Sequence, residues 1–406
     1  MGSTLSPPRR GDTLGAVSGA EAEARRYHRR QLLVSLIDLA ATLAVLAAWL
    51  ETGAGRRLVQ RLTEMATPAP FVVLAVAVAV GGSCALVTFP FDLVGGFFLP
   101  RRAGLLTQSL LSWLGDRAKA LALGTGLGLL VVEGIYALMR ASPEWWWLWS
   151  AIGLIGLGVV VALVLPVWIV PLFYRVTPLA DADLHARLLS LARRMGVEAA
   201  SIAVADFSRK GRTANAAVAG LGATRRILVS DTLLARFPVE EVEVVLAHEL
   251  GHHARGHLAQ GLLVQALLTV AALGAAAYGL TVGSRALRLS GPADPGSLPL
   301  LALLAMGLGL ATTPVLAAWS RRLEREADRV ALDVTRDPGA FASAMDRLAD
   351  LNLAERRPHR VKEWLWATHP SIERRIAAAR RWASAAGVPF APGPEAAPGL
   401  EAGSPP

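Results

Sequence analysis

Four of the eight histidines in the chain, His248, His252, His253 and His257, fall within ten residues of one another. The stretch reads Val244-Val245-Leu246-Ala247-His248-Glu249-Leu250-Gly251-His252. Residues four apart on a helix share a face, so His248 and His252 can present two imidazoles to one ion. Glu249 is rotated from them by about 100°, beside a metal rather than in line with it. That is the position of a base acting on metal-held water. The apolar approach and the uncharged Leu250 and Gly251 favour a buried helix over a histidine-rich surface one. His253 and His257 are also four apart, but that pair has no carboxylate after its first histidine. It also faces a different side of the helix from His252.

A catalytic zinc keeps three protein ligands and one open position. No histidine lies at the spacing that would extend the motif, so the third ligand must come from elsewhere. Ser320 to Asp328 reads as a helix with three acids, Glu324, Glu326 and Asp328. Glu324 and Asp328 are four apart on one face, and Glu326 points roughly the other way. A ligand with a second carboxylate to orient a histidine needs such a pair. Glu324 is therefore the expected third ligand and Asp328 the orienting carboxylate, for one Zn2+ per chain.

The elements that must position these residues lie in an apolar chain. Of 406 residues, 53% are hydrophobic and 18% charged, and the mean hydropathy is +0.43. Soluble proteins carry nearer 25% charge, so lipid is part of the solvent. Runs of about the length that crosses a bilayer occur near 32–50, 71–99, 118–139, 147–173, 258–283 and 298–319. Pro90 and Pro166 near the ends of the two longest suit a break there. The net charge is +9, but the basic residues flank apolar runs and form no stripe interleaved with aromatics, so nucleic acid is not an expected partner. Cys84 is the lone cysteine, which excludes an intrachain disulfide and a multi-thiolate metal site.

Arg9, Arg10, Arg25, Arg26, Arg29 and Arg30 precede the first run, and Arg101, Arg102, Arg117 and Lys119 follow the second. With an even number of spans, this places both termini and the polar regions in the cytoplasm. Trp49 and the cluster Trp145, Trp146, Trp147 and Trp149 then belong to an aromatic belt at the far interface. Asp38 and Glu133 lie within spans, where acids are costly. They either line a water-filled chamber leading to the metal, or pair with another helix or lie near an interface, with Glu133 the deeper.

The expected fold class is mainly α: a polytopic helical membrane protein of about six spans with a cytoplasmic α+β region of zincin type. The chain divides into a polar segment at 1–30, four spans within 31–173, and a polar region at 174–257 with a small sheet and the histidine helix. Two further spans follow within 258–319, then a second polar region at 320–383 that carries Glu324. A tail at 384–406, rich in Pro, Ala and Gly, is expected to be disordered. A helix is predicted from Asp183 to Met195, strands over Ser201–Ala205, Asn215–Ala219 and Arg226–Ser230, and a helix start near Pro238.

These motifs, taken in order, resemble the type I CAAX prenyl endopeptidases and their HtpX-like relatives, a family of membrane gluzincins. The resemblance rests on Arg102-Ala103-Gly104-Leu105 with Thr107-Gln108, Trp113, Asp116 and Lys119. It continues through Pro171-Leu172-Phe173 to Pro178-Leu179, Asn215-Ala216, Arg226 to Leu234, and His248 to His257. Ser320 to Asp328 and Thr368-His369-Pro370 with Arg375-Ile376 complete it. It implies that His248, His252 and Glu324 bind zinc, that Glu249 is the base, and that His369 stabilises the tetrahedral intermediate. It also implies that Arg375 lies near the site and that Asn215-Ala216 belongs to an edge strand pairing with the substrate backbone. The Ala- and Arg-rich composition looks bacterial. The expectation is a plasma-membrane zinc metalloendopeptidase acting on peptides or membrane proteins, in processing or quality control. A six-helix transporter and an inactive scaffold are the competing readings.

Overall fold

A computed structural model describes residues 10–197, 201–219 and 226–391. In chain order the first membrane region holds α1 (Arg10–Glu51), α2 (Ala54–Glu64), α3 (Ala69–Leu93), α4 (Leu99–Arg102), α5 (Leu110–Ala141), α6 (Trp146–Val164) and α7 (Val170–Phe173). Next come α8 (Ala182–Arg194), α9 (Asp231–Arg236), α10 (Val239–Ala254), α11 (His257–Ala286) and α12 (Leu298–Thr335). The chain ends with α13 (Pro338–Leu351), α14 (Arg360–Trp366) and α15 (Ile372–Ala386). Among the described residues six helices are long and apolar enough to cross a membrane: those of α1, α3 with α4, α5, α6, α11 and α12.

Two of the early spans, α3 and α6, each run on into a wide turn, at Val94–Phe98 and Leu165–Ile169, where the helix bonds skip five residues instead of four. Each is followed within two residues by a proline, Pro100 or Pro171. Proline lacks the N–H that an α turn needs, and a single wide turn carries the chain past it without ending the helix.

Several predicted boundaries move. The first helix begins at Arg10, inside the segment read as polar and separate at 1–30. No break separates the sixth span from the acidic segment. α12 runs through 319–320 as one helix of 38 residues, because Ala, Arg, Leu and Glu are strong helix formers on either side of the membrane boundary. α15 continues to Ala386, past the expected start of the tail. Residues 392–406 of that tail lie outside the described residues.

A four-stranded sheet packs against the helices of the polar region. Its order is β1 (Val176–Pro178), β2 (Ser201–Ala205), β4 (Arg226–Ser230) and β3 (Ala216–Ala219), with β2 and β4 parallel and the outer pairs antiparallel. β1 was not expected, since three residues are too few for a period-two pattern. The sheet puts Ile202, Ile227 and Val229 into a core shared with Leu188 of α8, Leu246 of α10 and Phe341 of α13. Fully burying such a side chain contributes about 1.5–3 kcal/mol.

A second core ties the spans together through Val73, Val76, Tyr136, Trp146 and Leu280. Trp146 is buried there, so of the four clustered tryptophans only Trp145 and Trp149 stand exposed as a belt would. Glu133 pairs within its own helix, where its Oε1 accepts from Arg140 at 2.8 Å, while its Oε2 is buried without a hydrogen bond among the described residues.

Candidate metal centre

α10 carries the histidine motif into the core of the polar region. Its first turn is anchored by Glu241, fully buried, which accepts from Arg347 of α13 at 2.8 and 3.1 Å and also bonds Ser343. A buried carboxylate is stable only when paired in this way. The residues from Val244 to Gly251 are buried except Glu249, which is partly buried. On the far side α10 meets α12 where both residues are small. A Cβ built on Gly251 would stand 3.4 Å from the backbone of Ala327. That close approach lets side chains from two separate helices converge.

They converge tightly. Nε2 of His248 and Nε2 of His252 are 3.2 Å apart. Oε2 of Glu324 lies 3.2 Å from the first and Oε1 3.3 Å from the second. Nitrogen and oxygen ligands at ~2.0–2.1 Å around a tetrahedral ion stand roughly 3.3 Å from one another, so the spacing fits one zinc-sized cation. Among the described residues, these three side chains form a group whose ligand atoms all lie within 4.8 Å of each other. Glu324 is buried, and its Oε2 is approached by Nε2 of His248 at 3.2 Å without good hydrogen-bond alignment. A buried carboxylate oxygen so poorly satisfied is costly, and a cation at this point would satisfy it.

Asp328, one turn further along α12, sits behind the first histidine. Its Oδ1 is 2.9 Å from Nδ1 of His248, which assigns the proton to Nδ1 and turns the Nε2 lone pair toward Glu324. Arg375 of α15 clamps the same carboxylate, with Nε donating to Oδ2 at 2.9 Å and an Nη atom to Oδ1. All three are buried. Burial alone would depress the His248 pKa, but hydrogen bonds to Asp328 and Glu324 overcome it and push it up to about 9.

Glu249 flanks the cluster and makes no hydrogen bond among the described residues. Burial raises its pKa, against the pull of His248 and His252, which is the direction a proton acceptor near neutrality needs. His369 also reaches the cluster, with Nε2 3.3 Å from Oε1 of Glu324. Its Nδ1 is 2.9 Å from the Thr368 hydroxyl. Protein crowding on the site side lowers its pKa, although 57% of the side chain stays open. A neutral ring accepting from Thr368 at Nδ1 carries its proton on Nε2, facing the cluster.

Asn215 and Ala216 lie at the sheet's outer edge. Ser230 N donates to Asn215 O at 2.9 Å, and β3 pairs with β4 in the register Ala216↔Val229, Val218↔Ile227. Bonding alternates along an antiparallel pair, so the polar backbone groups of Ala216 and Val218 point away from the sheet. His253 Nε2 takes the Val218 carbonyl at 2.8 Å, which ties the free edge to α10.

His257 departs from the sequence reading. Gly256 adopts φ +65°, which ends α10 and starts α11 in a new direction. His257 therefore turns back, and its Nδ1 lies 2.9 Å from Nδ1 of His252. It is buried, with Nε2 3.6 Å from Oε2 of Glu326. Glu326, expected to point away, thus reaches the cluster's rim. The glycine after Arg255 was the available signal, since a helix commonly ends on a glycine in the left-handed conformation.

The chain resembles known proteins over nearly its whole length. Residues 178–383 match the profile of peptidase family M48. Residues 18–175 match that of the CAAX prenyl protease N-terminal region, described as five membrane helices. The chain is 27% identical over 295 residues to the uncharacterised metalloprotease YhfN of Bacillus subtilis, covering 72% of this chain and 69% of that protein. It is 30% identical over 168 residues to CAAX prenyl protease 1 of Saccharomyces cerevisiae, covering 41% of this chain and 37% of the yeast protein. The fold matches the crystal structure of S. mikatae Ste24p with a TM-score of 0.75 at 22% identity, over 89% of this chain and 88% of that one.

Proposed function

The chain belongs to peptidase family M48, and from that premise we propose that it is a membrane-embedded zinc endopeptidase with its site at the membrane surface. His248, His252 and Glu324 hold one zinc per chain. The observation that carries the reading is the convergence of these three ligand atoms from α10 and α12 beside Glu249, which makes no hydrogen bond among the described residues. Bound there, zinc would supply a Lewis acid and a water of lowered pKa.

The remaining work falls to the chain's own groups. Asp328 and Arg375 hold the His248 ring so that its Nε2 faces the ion. Glu249 takes a proton from the attacking water and returns it to the leaving amine. His369 donates from Nε2 to the oxygen on which negative charge develops. Ala216, with backbone groups turned outward from β3, pairs with an extended peptide and presents its scissile bond.

Glu324 follows the apolar part of α12 by little more than one turn past Trp319. Substrates are therefore peptide segments at or near a bilayer surface. The relatives named as CAAX prenyl proteases support processing of membrane-attached polypeptides, and the Ala- and Arg-rich composition supports protein turnover in a bacterial plasma membrane. Basic flanks on the first two spans support a cytoplasmic side for both termini and the site.

The test is Glu249→Gln in the full chain. It should keep its metal and its fold while losing cleavage of casein by roughly 10²–10⁴-fold, the usual worth of general acid–base catalysis. Undiminished cleavage would defeat the proposal, and a wild type that binds zinc without cleaving would mark an inactive scaffold.

A further inference from the structure

The sheet edge that carries Ala216 is closed at both ends. Asn215 turns its backbone inward: its carbonyl accepts from Ser230 N at 2.9 Å, and its N–H donates to the Ser230 hydroxyl at 2.9 Å. Alternation along the strand then turns the N–H and C=O of Ala214, Ala216 and Val218 outward. Two of those three outward carbonyls are already taken. The Ala214 N–H donates to Oδ1 of Asn352 at 3.1 Å, and Nδ2 of Asn352 donates back to the Ala214 carbonyl at 3.3 Å. Residues paired across an antiparallel ladder exchange two bonds in this way, and here one side chain supplies both. At the other end His253 Nε2 holds the Val218 carbonyl at 2.8 Å.

Between them, the outward N–H and C=O of Ala216 have no partner among the described residues. Ala216 is buried overall, and a buried peptide group without a partner is costly. The gap suits one residue of an incoming backbone.

Asn352 is itself firmly held. It ends α13, and its N–H donates to the Leu348 carbonyl at 3.0 Å. The next residue, Leu353, adopts φ +49°. It packs with Ala24 of α1 and with Leu105, and its carbonyl accepts from Nε2 of His28 of α1 at 2.9 Å. A leucine holds that left-handed conformation only where its surroundings impose it. The extension of the first span does so here, and it thereby fixes where Asn352 points.

We propose that Asn352 is a specificity-determining residue that ends the substrate-pairing edge at Ala216. The inference rests on the protease reading of the same site. A bound peptide gives β3 a single backbone N–H, received by the Ala216 carbonyl, and Asn352 stands where a longer strand would otherwise pair with Ala214. Asn352 touches no reacting atom and acts by occupying the edge.

The test is an ester scan with the full chain in detergent. Peptides from one cleaved casein segment each carry a single non-scissile amide replaced by an ester, which removes one N–H donor, and kcat/KM is measured for each. In wild type one position facing β3 should lose roughly two- to tenfold, the worth of one hydrogen bond, while the positions two residues to either side tolerate the change. Asn352→Ala frees the Ala214 carbonyl, so one of those two tolerant positions should become sensitive by the same factor. A merely structural role would lower kcat/KM across the whole series and leave the pattern as it was, which overturns the proposal. Sensitive positions spaced two apart in wild type overturn it as well, because the edge would then run past Ala216, and this outcome needs no variant to fold. A wild type that cleaves none of the unmodified peptides instead removes the protease reading, and this inference with it.

Discussion

Oδ1 of Asp328 lies 2.9 Å from Nδ1 of His248, so one carboxylate decides which nitrogen of that imidazole faces Glu324. Removing it frees the ring to rotate and leaves Arg375, a buried cation, without its partner. Asp328→Ala should weaken metal binding by about 10–100-fold, the usual cost of losing such support. Competition with a chromophoric chelator measures it. Asp328→Asn should fall between, since it keeps the hydrogen bond's geometry and loses the charge. An affinity unchanged in both variants would remove Asp328 from the account.

His257 should behave as a positioning residue for His252. Two ring nitrogens 2.9 Å apart need one donor and one acceptor. If His252 Nε2 serves the proposed metal, its Nδ1–H donates to His257 Nδ1. His257→Ala should lower metal affinity within the same ~10–100-fold range, and His257→Asn should restore part of it through its side-chain oxygen. A merely structural role would lower the melting temperature in both variants and leave the affinity of the folded protein alone.

Protons and metal compete for His248. Its pKa is raised from 6.5 to about 9 when no metal is present. A raised value means the charged pairing with Asp328 and Glu324 stabilises the metal-free fold fully below pH 6.5, and that this is lost as pH rises through about 9. Metal must displace that proton. Titration calorimetry in buffers of different ionisation heat should show about one proton released per zinc at about pH 7.5, falling toward none at about pH 10. No release at the lower pH would show that His248 is already neutral.

Much of this was legible in the sequence, for identifiable reasons. The i, i+4 spacing of His248 and His252, and of Glu324 and Asp328, is fixed by helix geometry, so each pair could be placed on a face without coordinates. The six apolar runs were visible because length and composition alone set a span. Other features depended on contacts between distant segments. Glu241 looked like a first-turn acid suited to the helix dipole, and only the approach of Arg347 makes it a buried anchor. His257 was assigned to the wrong side because a continuous helix was assumed across Gly256. The unbroken α12 erased a boundary drawn where hydropathy falls, since hydropathy reports solvent and not helix ends.

The most direct test of the metal centre is zinc K-edge absorption spectroscopy on the purified chain, with metal counted per protein. The account predicts one zinc per chain, bound by two imidazole nitrogens and a carboxylate oxygen at roughly 2.0–2.2 Å, and its loss in Glu324→Ala. Zinc retained by Glu324→Ala with an unchanged ligand shell would contradict it.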